Sequence, residues 1–288
     1  MGRRNVGQLP KPPRRFRPNL KVGAGFETKA AARAEDNQRI RKLKSYCASL
    51  VEKGKRDEVD KAITGIKSAS CCASSCYMRK RRIRLGGHVW LQHDLDGRTG
   101  ATFTLIPKWG KVDCDSLALV DPVKMLERLR AAFNRAGAGQ VGGWLIVGIH
   151  GEHDPTKGVY VIHFHGYCTG GMIGVIDRLR GQPSFKSKHQ RKDGSDVQRV
   201  HRSRAPLDNL PRPLTYPFQG FWPAKASFVA QNERSKRQRR KHRIKEPMHS
   251  EVLLWLARWR IQDLVLLLGI RVTKSGMEPC AKRTAICG

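Results

Sequence analysis

The sequence predicts an α+β fold: an antiparallel sheet with helices on one face, a basic N-terminal arm before it and a C-terminal helical region after it. Three observations carry this expectation. The stretch Arg98–Arg180 reads as β-α-β-β-α. Its charge nearly balances, with ten basic against seven acidic residues. The whole chain of 288 residues instead carries 56 Lys+Arg against 24 Asp+Glu, a formal charge of +32. A near-neutral core is therefore dressed with basic appendages, and the organisation reads as residues 1–97, 98–230 and 231–288.

The elements follow in order. Residues 1–45 hold 13 basic and 3 acidic residues, and their Pro, Gly and Arg content up to about Gly25 reads as a disordered arm. A helix is expected near Thr28–Leu50. Ala101–Pro107, ATFTLIP, is β-rich and ends at proline, a strand signature. Asp121–Ala136 opens with an Asp N-cap and Pro122 in the first turn. Its Val123, Leu126, Leu129 and Phe133 form one apolar stripe, and Gly137 stops it. Trp144–Ile149 and Val159–Cys168 are strands joined through DPTKG, a turn sequence. Gly170–Leu179 reads as a second helix. This order suits a ferredoxin-like split arrangement. Lys186–Arg204 is a basic polar loop. Arg234–Lys245, with eight basic residues and no acid, is a linker or phosphate-tracking helix. His249–Arg258 and Ile261–Ile270 read as two short helices, a helix pair on the core or a helix-turn-helix for duplex DNA.

The charge excludes an ordinary metabolic enzyme without a polyanion nearby and points to nucleic acid. The N-terminus lacks a secretory pattern, no apolar run reaches membrane-helix length, and eight cysteines lack framework spacing. A cytoplasmic protein with no membrane partner is the expectation.

His163 and His165 lie two apart in one strand, so both imidazoles point to one face, as two ligands of one metal ion do. If Asp154 pairs with Val159, His150 lies opposite His163 and Glu152 lies opposite Val161, on the same face. A one-residue slip would substitute His153. Glu152 or His150 is the preferred third ligand, and a mixed His/carboxylate set suits Mn²⁺ or a tolerant Mg²⁺ site. A second candidate set is Cys72, Cys76, His88 and His93, within one residue of C₂H₂ zinc-finger spacing. It lacks the aromatic a finger needs, since Lys80 stands there, and HVWLQHDL alternates like a strand.

ATFTLIP, a hairpin ending in IHFHG and a later tyrosine together resemble the HUH endonuclease superfamily, more narrowly the rolling-circle replication initiators of plasmids and mobile elements. The resemblance spans roughly Thr102–Lys225. It implies a metal held by His163 and His165 and a nucleophilic tyrosine after them, Tyr216 rather than the in-strand Tyr167. The relaxase order would instead nominate Tyr77 or Tyr46. Gln219 and Gly220 stand where the family's auxiliary lysine is found, and the first lysine after Tyr216 is Lys225. The implied activity is metal-dependent nicking and joining of single-stranded DNA through a 5′-phosphotyrosine. The implied partners are single-stranded and origin duplex DNA, with a host helicase or polymerase. Two other readings are an RNA-recognition-like sheet without catalysis, and a DNA-binding regulator built on the zinc-finger set and C-terminal helices.

Overall fold

The computed structural model describes residues 5–17, 27–187, 198–203, 207, 209–229, 235–237 and 242–280. In chain order its helices and strands begin with α1 (Lys29–Ser49), α2 (Lys53–Lys67), α3 (Ser75–Asp96), β1 (Gly100–Leu105), β2 (Lys111–Asp113) and α4 (Pro122–Arg135). The hairpin β3 (Leu145–Asp154) and β4 (Val159–Thr169) follows, then α5 (Met172–Arg178), β5 (Val200–Arg202) and α6 (Arg212–Thr215). The remainder is β6 (Pro223–Ala224), β7 (Ser227–Val229), β8 (Ser235–Arg237), β9 (His242–Arg243), α7 (Met248–Ala257), β10 (Val265–Leu268), β11 (Ile270–Val272) and β12 (Met277–Pro279).

The architecture is α+β, with a mostly antiparallel main sheet. Its path runs β5-β1-β4-β3-β6-β9, with β2 also on β4 and β10 also on β3. β3 and β4 are buried along nearly their whole length, the histidines and Glu152 included. Alternation puts Gly148, His150 and Glu152 of β3 on one face with His163, His165 and Tyr167 of β4. Phe103 of β1, opposite Gly166, lies on the other face and meets Phe133 of α4 edge-on, 6.5 Å between ring centroids. The Asp121 side chain accepts from Val123 N and Lys124 N and caps α4. Met125, Leu126, Leu129 and Phe133 form its buried stripe, while Val123 points outward at 40% exposure. The helices are not confined to one face: at the far end of α3, His93 hydrogen-bonds the Tyr167 hydroxyl on the histidine face.

Three expectations are corrected. Residues 5–17 of the N-terminal arm are ordered structure rather than a disordered tail: Val6, Leu9 and Phe16 are buried. Arg84 donates to the Leu9 carbonyl. A Cβ on Gly87 would fall 2.4 Å from the Phe16 carbonyl oxygen, so the glycine in α3 makes room for the arm. Second, HVWLQHDL is the end of α3, not a strand. Third, residues 261–270 are a short turn followed by β10, so the C-terminal region is a helix plus strands and no helix-turn-helix forms among the described residues. The run LVLLL is short and bounded by Asp263 and Gly269, and periodicity does not separate a buried strand from a helix there. The backbone of β3 decides it: β10 pairs Val265 with Gly148 through Leu268 with Leu145, satisfying an edge that would otherwise be bare. The sheet therefore draws on residues either side of the 230/231 boundary. Most of the Arg234–Lys245 segment lies outside the described residues; Ser235–Arg237 is strand, not helix. Much of the Lys186–Arg204 loop also lies outside them.

α1 is tied to β9 by an ion pair, and Arg243 of β9 also lies 3.4 Å from His249 of α7. Arg243 and Arg39 donate to the Glu35 carboxylate at 2.7–2.9 Å. Burial would raise the Glu35 pKa, but the two guanidiniums outweigh it and hold the carboxyl at about 2. Burial pushes His249 of α7 down to about 4 from 6.5. Between those values the unfolded chain binds a proton that the folded chain refuses, so acid favours unfolding. Stability is expected to fall as pH drops from 6.5 to 4, by up to about 3 kcal/mol from His249 alone, seen as a falling thermal midpoint. The fall should continue below 4.5 as Glu35 loses its advantage. His249→Gln should flatten the upper part of that curve.

Candidate metal centre

β3 and β4 carry the site. Their register is Asp154↔Val159, His150↔His163 and Glu152↔Val161, so the four-residue turn sets His150 directly across from His163. The His150, His163 and His165 side chains are all buried and bring one ring nitrogen each within 4.8 Å of one another. His150 Nδ1 lies 3.1 Å from His163 Nε2, and His163 Nε2 lies 3.1 Å from His165 Nε2. This group can hold a metal ion.

The surrounding hydrogen bonds fix which nitrogens face inward. His150 Nε2 donates to the Phe221 carbonyl at 2.9 Å, and His163 Nδ1 donates to the Val161 carbonyl at 3.0 Å. A carbonyl only accepts, so each of these nitrogens carries the hydrogen, and in a neutral ring the inward nitrogen presents a lone pair. His165 Nδ1 bonds Thr104 Oγ1 at 2.8 Å, leaving its Nε2 turned to the same point. Lone pairs 3.1 Å apart repel unless a positive charge lies between them. A proton joins two nitrogens, whereas three converging on one point suit a metal ion. Two metal–nitrogen bonds of about 2.0–2.1 Å hold their nitrogens roughly 3.0–3.4 Å apart at ordinary coordination angles. The outer hydrogen bonds are the kind that orient ligating histidines.

The other predicted site residues divide. Tyr216 follows α6 and opens the turn Tyr216–Phe218. Its ring centroid is 4.3 Å from that of His165, and it is 39% exposed. That turn lies directly on the sheet because Gly148 has no side chain: a Cβ there would sit 1.9 Å from the Pro217 carbonyl oxygen. Glu152 is not part of the nitrogen cluster. Its Oε2 lies 2.8 Å from Lys225 Nζ, and the third nitrogen of the cluster is that of His150. Lys225 sits just after β6, its backbone N–H on the His153 carbonyl. His153 points to the opposite face, stacked near Tyr160 with Nε2 3.3 Å from Cys114 Sγ, and burial lowers its pKa.

The competing tyrosines are buried or engaged in other contacts. Tyr167 is fully buried, and burial raises its pKa. Tyr77 accepts from Ile261 N, and Tyr46 bonds Glu251. The zinc-finger set does not assemble. Cys76 is in the first turn of α3, and His88 and His93 are twelve and seventeen residues further along, about 18 and 26 Å along the axis at 1.5 Å per residue. His88 Nε2 bonds the Pro10 carbonyl instead. Sequence reasoning missed Thr104, Gly148 and the Phe221 carbonyl as supports. Only Thr104 left a signal, as the residue of TFTL whose alternation faces the histidines.

Among the described residues no helix is long and apolar enough to cross a membrane. No protein-family model, no curated protein and no solved structure matches the chain.

Proposed function

We propose that the protein is a metal-dependent nickase and strand transferase of the HUH kind, acting on single-stranded DNA at the start of rolling-circle replication of a plasmid or mobile element. One observation carries the reading: the half-exposed Tyr216 ring lies against His165, one of three convergent histidines. Further support comes from the strand path β5-β1-β4-β3 with α4 and α5 as crossovers, the order a βαββαβ unit produces.

The residues divide the work. His150, His163 and His165 would hold the ion. When bound, it supplies a Lewis acid that polarises a phosphodiester oxygen. An all-nitrogen set favours Mn²⁺ or a similar transition ion over Mg²⁺, which prefers oxygen. Tyr216 is the nucleophile. Its Oη forms a bond to phosphorus as the bond to the 3′-oxygen breaks; the phenol proton is released, and the departing oxygen takes one up. A 5′-phosphotyrosine and a free 3′-hydroxyl result, and reversal of the step rejoins strands. Lys225, paired with Glu152, places an ammonium group at the same end of β3, where it would donate to a phosphate oxygen.

Incubation with single-stranded origin-like DNA and Mn²⁺ is expected to give a covalent adduct on a denaturing gel. Tyr216→Phe should give none while keeping salt-sensitive binding. Absence of an adduct from the wild type with any supplied strand, or persistence of the adduct in Tyr216→Phe, would overturn the proposal.

A further inference from the structure

A second concave site lies away from the histidines. The N-terminal arm, α1, the end of α2 and the first half of α3 enclose a cleft of about 830 Å³. Eight Lys and Arg residues line it, among them Lys11, Arg33, Lys67, Arg79, Lys80 and Arg84. Among the described residues none of these eight forms an ion pair with a carboxylate. The cleft's one acidic residue, Asp36, is already used. Its carboxylate accepts from Ser74 Oγ and from the backbone N–H groups of Ser75 and Cys76, capping α3. Elsewhere in this helical region some cations are paired, Arg39 with Glu35, Arg82 with Glu27 and Lys42 with Glu246, while exposed cations such as Arg41, Lys44 and Lys61 stand on convex helix faces outside the cleft. What distinguishes the cleft is that eight cations without carboxylate partners among the described residues line one concavity.

The floor is different in kind. The half-buried Ile40 and Ile83 lie between the cations with Ala69 beside them, and the buried Ile66 and Ala32 lie beneath. A bare phosphate or a compact inorganic anion has no use for such a floor. A duplex, about 20 Å across, does not enter a cleft of this volume. A flexible strand offers both halves of the match, phosphates for the rim and base faces for the apolar floor.

We propose that this cleft is a second nucleic-acid site, which holds a single strand by its phosphates with bases against the isoleucine floor. It needs neither the metal nor the tyrosine chemistry, so its fate is separable from that of the nicking proposal.

The test uses full-length Tyr216→Phe protein with chelator present, so that no cleavage intervenes, and a fluorescent dT oligonucleotide as the probe. Arg33→Ala, Lys67→Ala and Lys80→Ala remove exposed cations from three different helices. Together they are expected to weaken binding at least tenfold and to reduce the salt slope by about 2, from three lost single-strand phosphate contacts. The matched triple Lys124→Ala, Arg130→Ala and Arg135→Ala, on the exposed side of α4, should change binding less than threefold. A second measurement does not depend on substitutions. Cys76 lines the cleft and is half-buried, whereas Cys280 is exposed and distant in sequence. Saturating oligonucleotide should slow alkylation of Cys76, followed by peptide mass mapping, and leave Cys280 unchanged. Equal losses in the two triples, unprotected Cys76, or duplex competing as well as single strand would each overturn the proposal.

Discussion

Replacing His163 with alanine is expected to lower Mn²⁺ affinity by more than the roughly 10–100-fold typical of losing an outer-shell partner, and to abolish adduct formation. His163 is the central donor, with Nε2 3.1 Å from both neighbours, so its loss leaves two nitrogens that no longer surround one point. The informative readout is differential. Wild type should gain thermal stability on adding metal, about 2.7 kcal/mol at a hundredfold excess over Kd, and lose it again with chelator. The variant should gain almost nothing, whatever its baseline. Without metal the variant is also relieved of the lone-pair repulsion, which offsets part of the cost of the cavity. A wild-type midpoint that does not respond to Mn²⁺, Zn²⁺ or Co²⁺ would remove the metal from the account.

Gly148→Ala tests the other half of the site. The added Cβ would overlap the Pro217 carbonyl, at 1.9 Å from its oxygen and 3.0 Å from its carbon. Both are backbone atoms, so the turn carrying Tyr216 must lift by an ångström or more. A nucleophile misplaced by that much reacts about 100-fold more slowly. The atoms nearest the added Cβ belong to Pro217 and Phe218, not to the histidines, so the metal-dependent stabilisation should persist. Slow adduct formation with an intact metal response separates positioning from binding. Equal loss of both would mean that the turn supports the histidines rather than the tyrosine.

The legible part of this molecule was the part in which local rules and tertiary structure agree. His163 and His165 share a face by strand alternation alone, and a four-residue turn with Asp154 at its start is enough to bring His150 opposite them. Asp121 and Pro122 announced α4 because a cap and a first-turn proline act locally. Three features were hidden for physical reasons. Leu9 and Phe16 are isolated apolar residues among prolines and arginines, with no period to reveal their burial. HVWLQHDL alternates like a strand, and two glycines precede it, yet Gly87 is there for the approach of the arm. Glu152 looked like a ligand from its face alone; nothing local announced that Lys225, more than seventy residues later, would engage its carboxylate.

The strand β10 gives the protein a built-in order of events during synthesis. Gly148, the residue on which the tyrosine turn rests, pairs along one edge with His165 and along the other with Val265. A ribosome that has released every histidine and Tyr216 has therefore still not released the strand that closes the sheet beside them. A nascent or prematurely terminated chain would hold the reactive groups but present an open apolar edge to its neighbours, the usual beginning of aggregation. Fragments that stop before Val265 would carry the three histidines and Tyr216 without the strand that pairs β3 beside them.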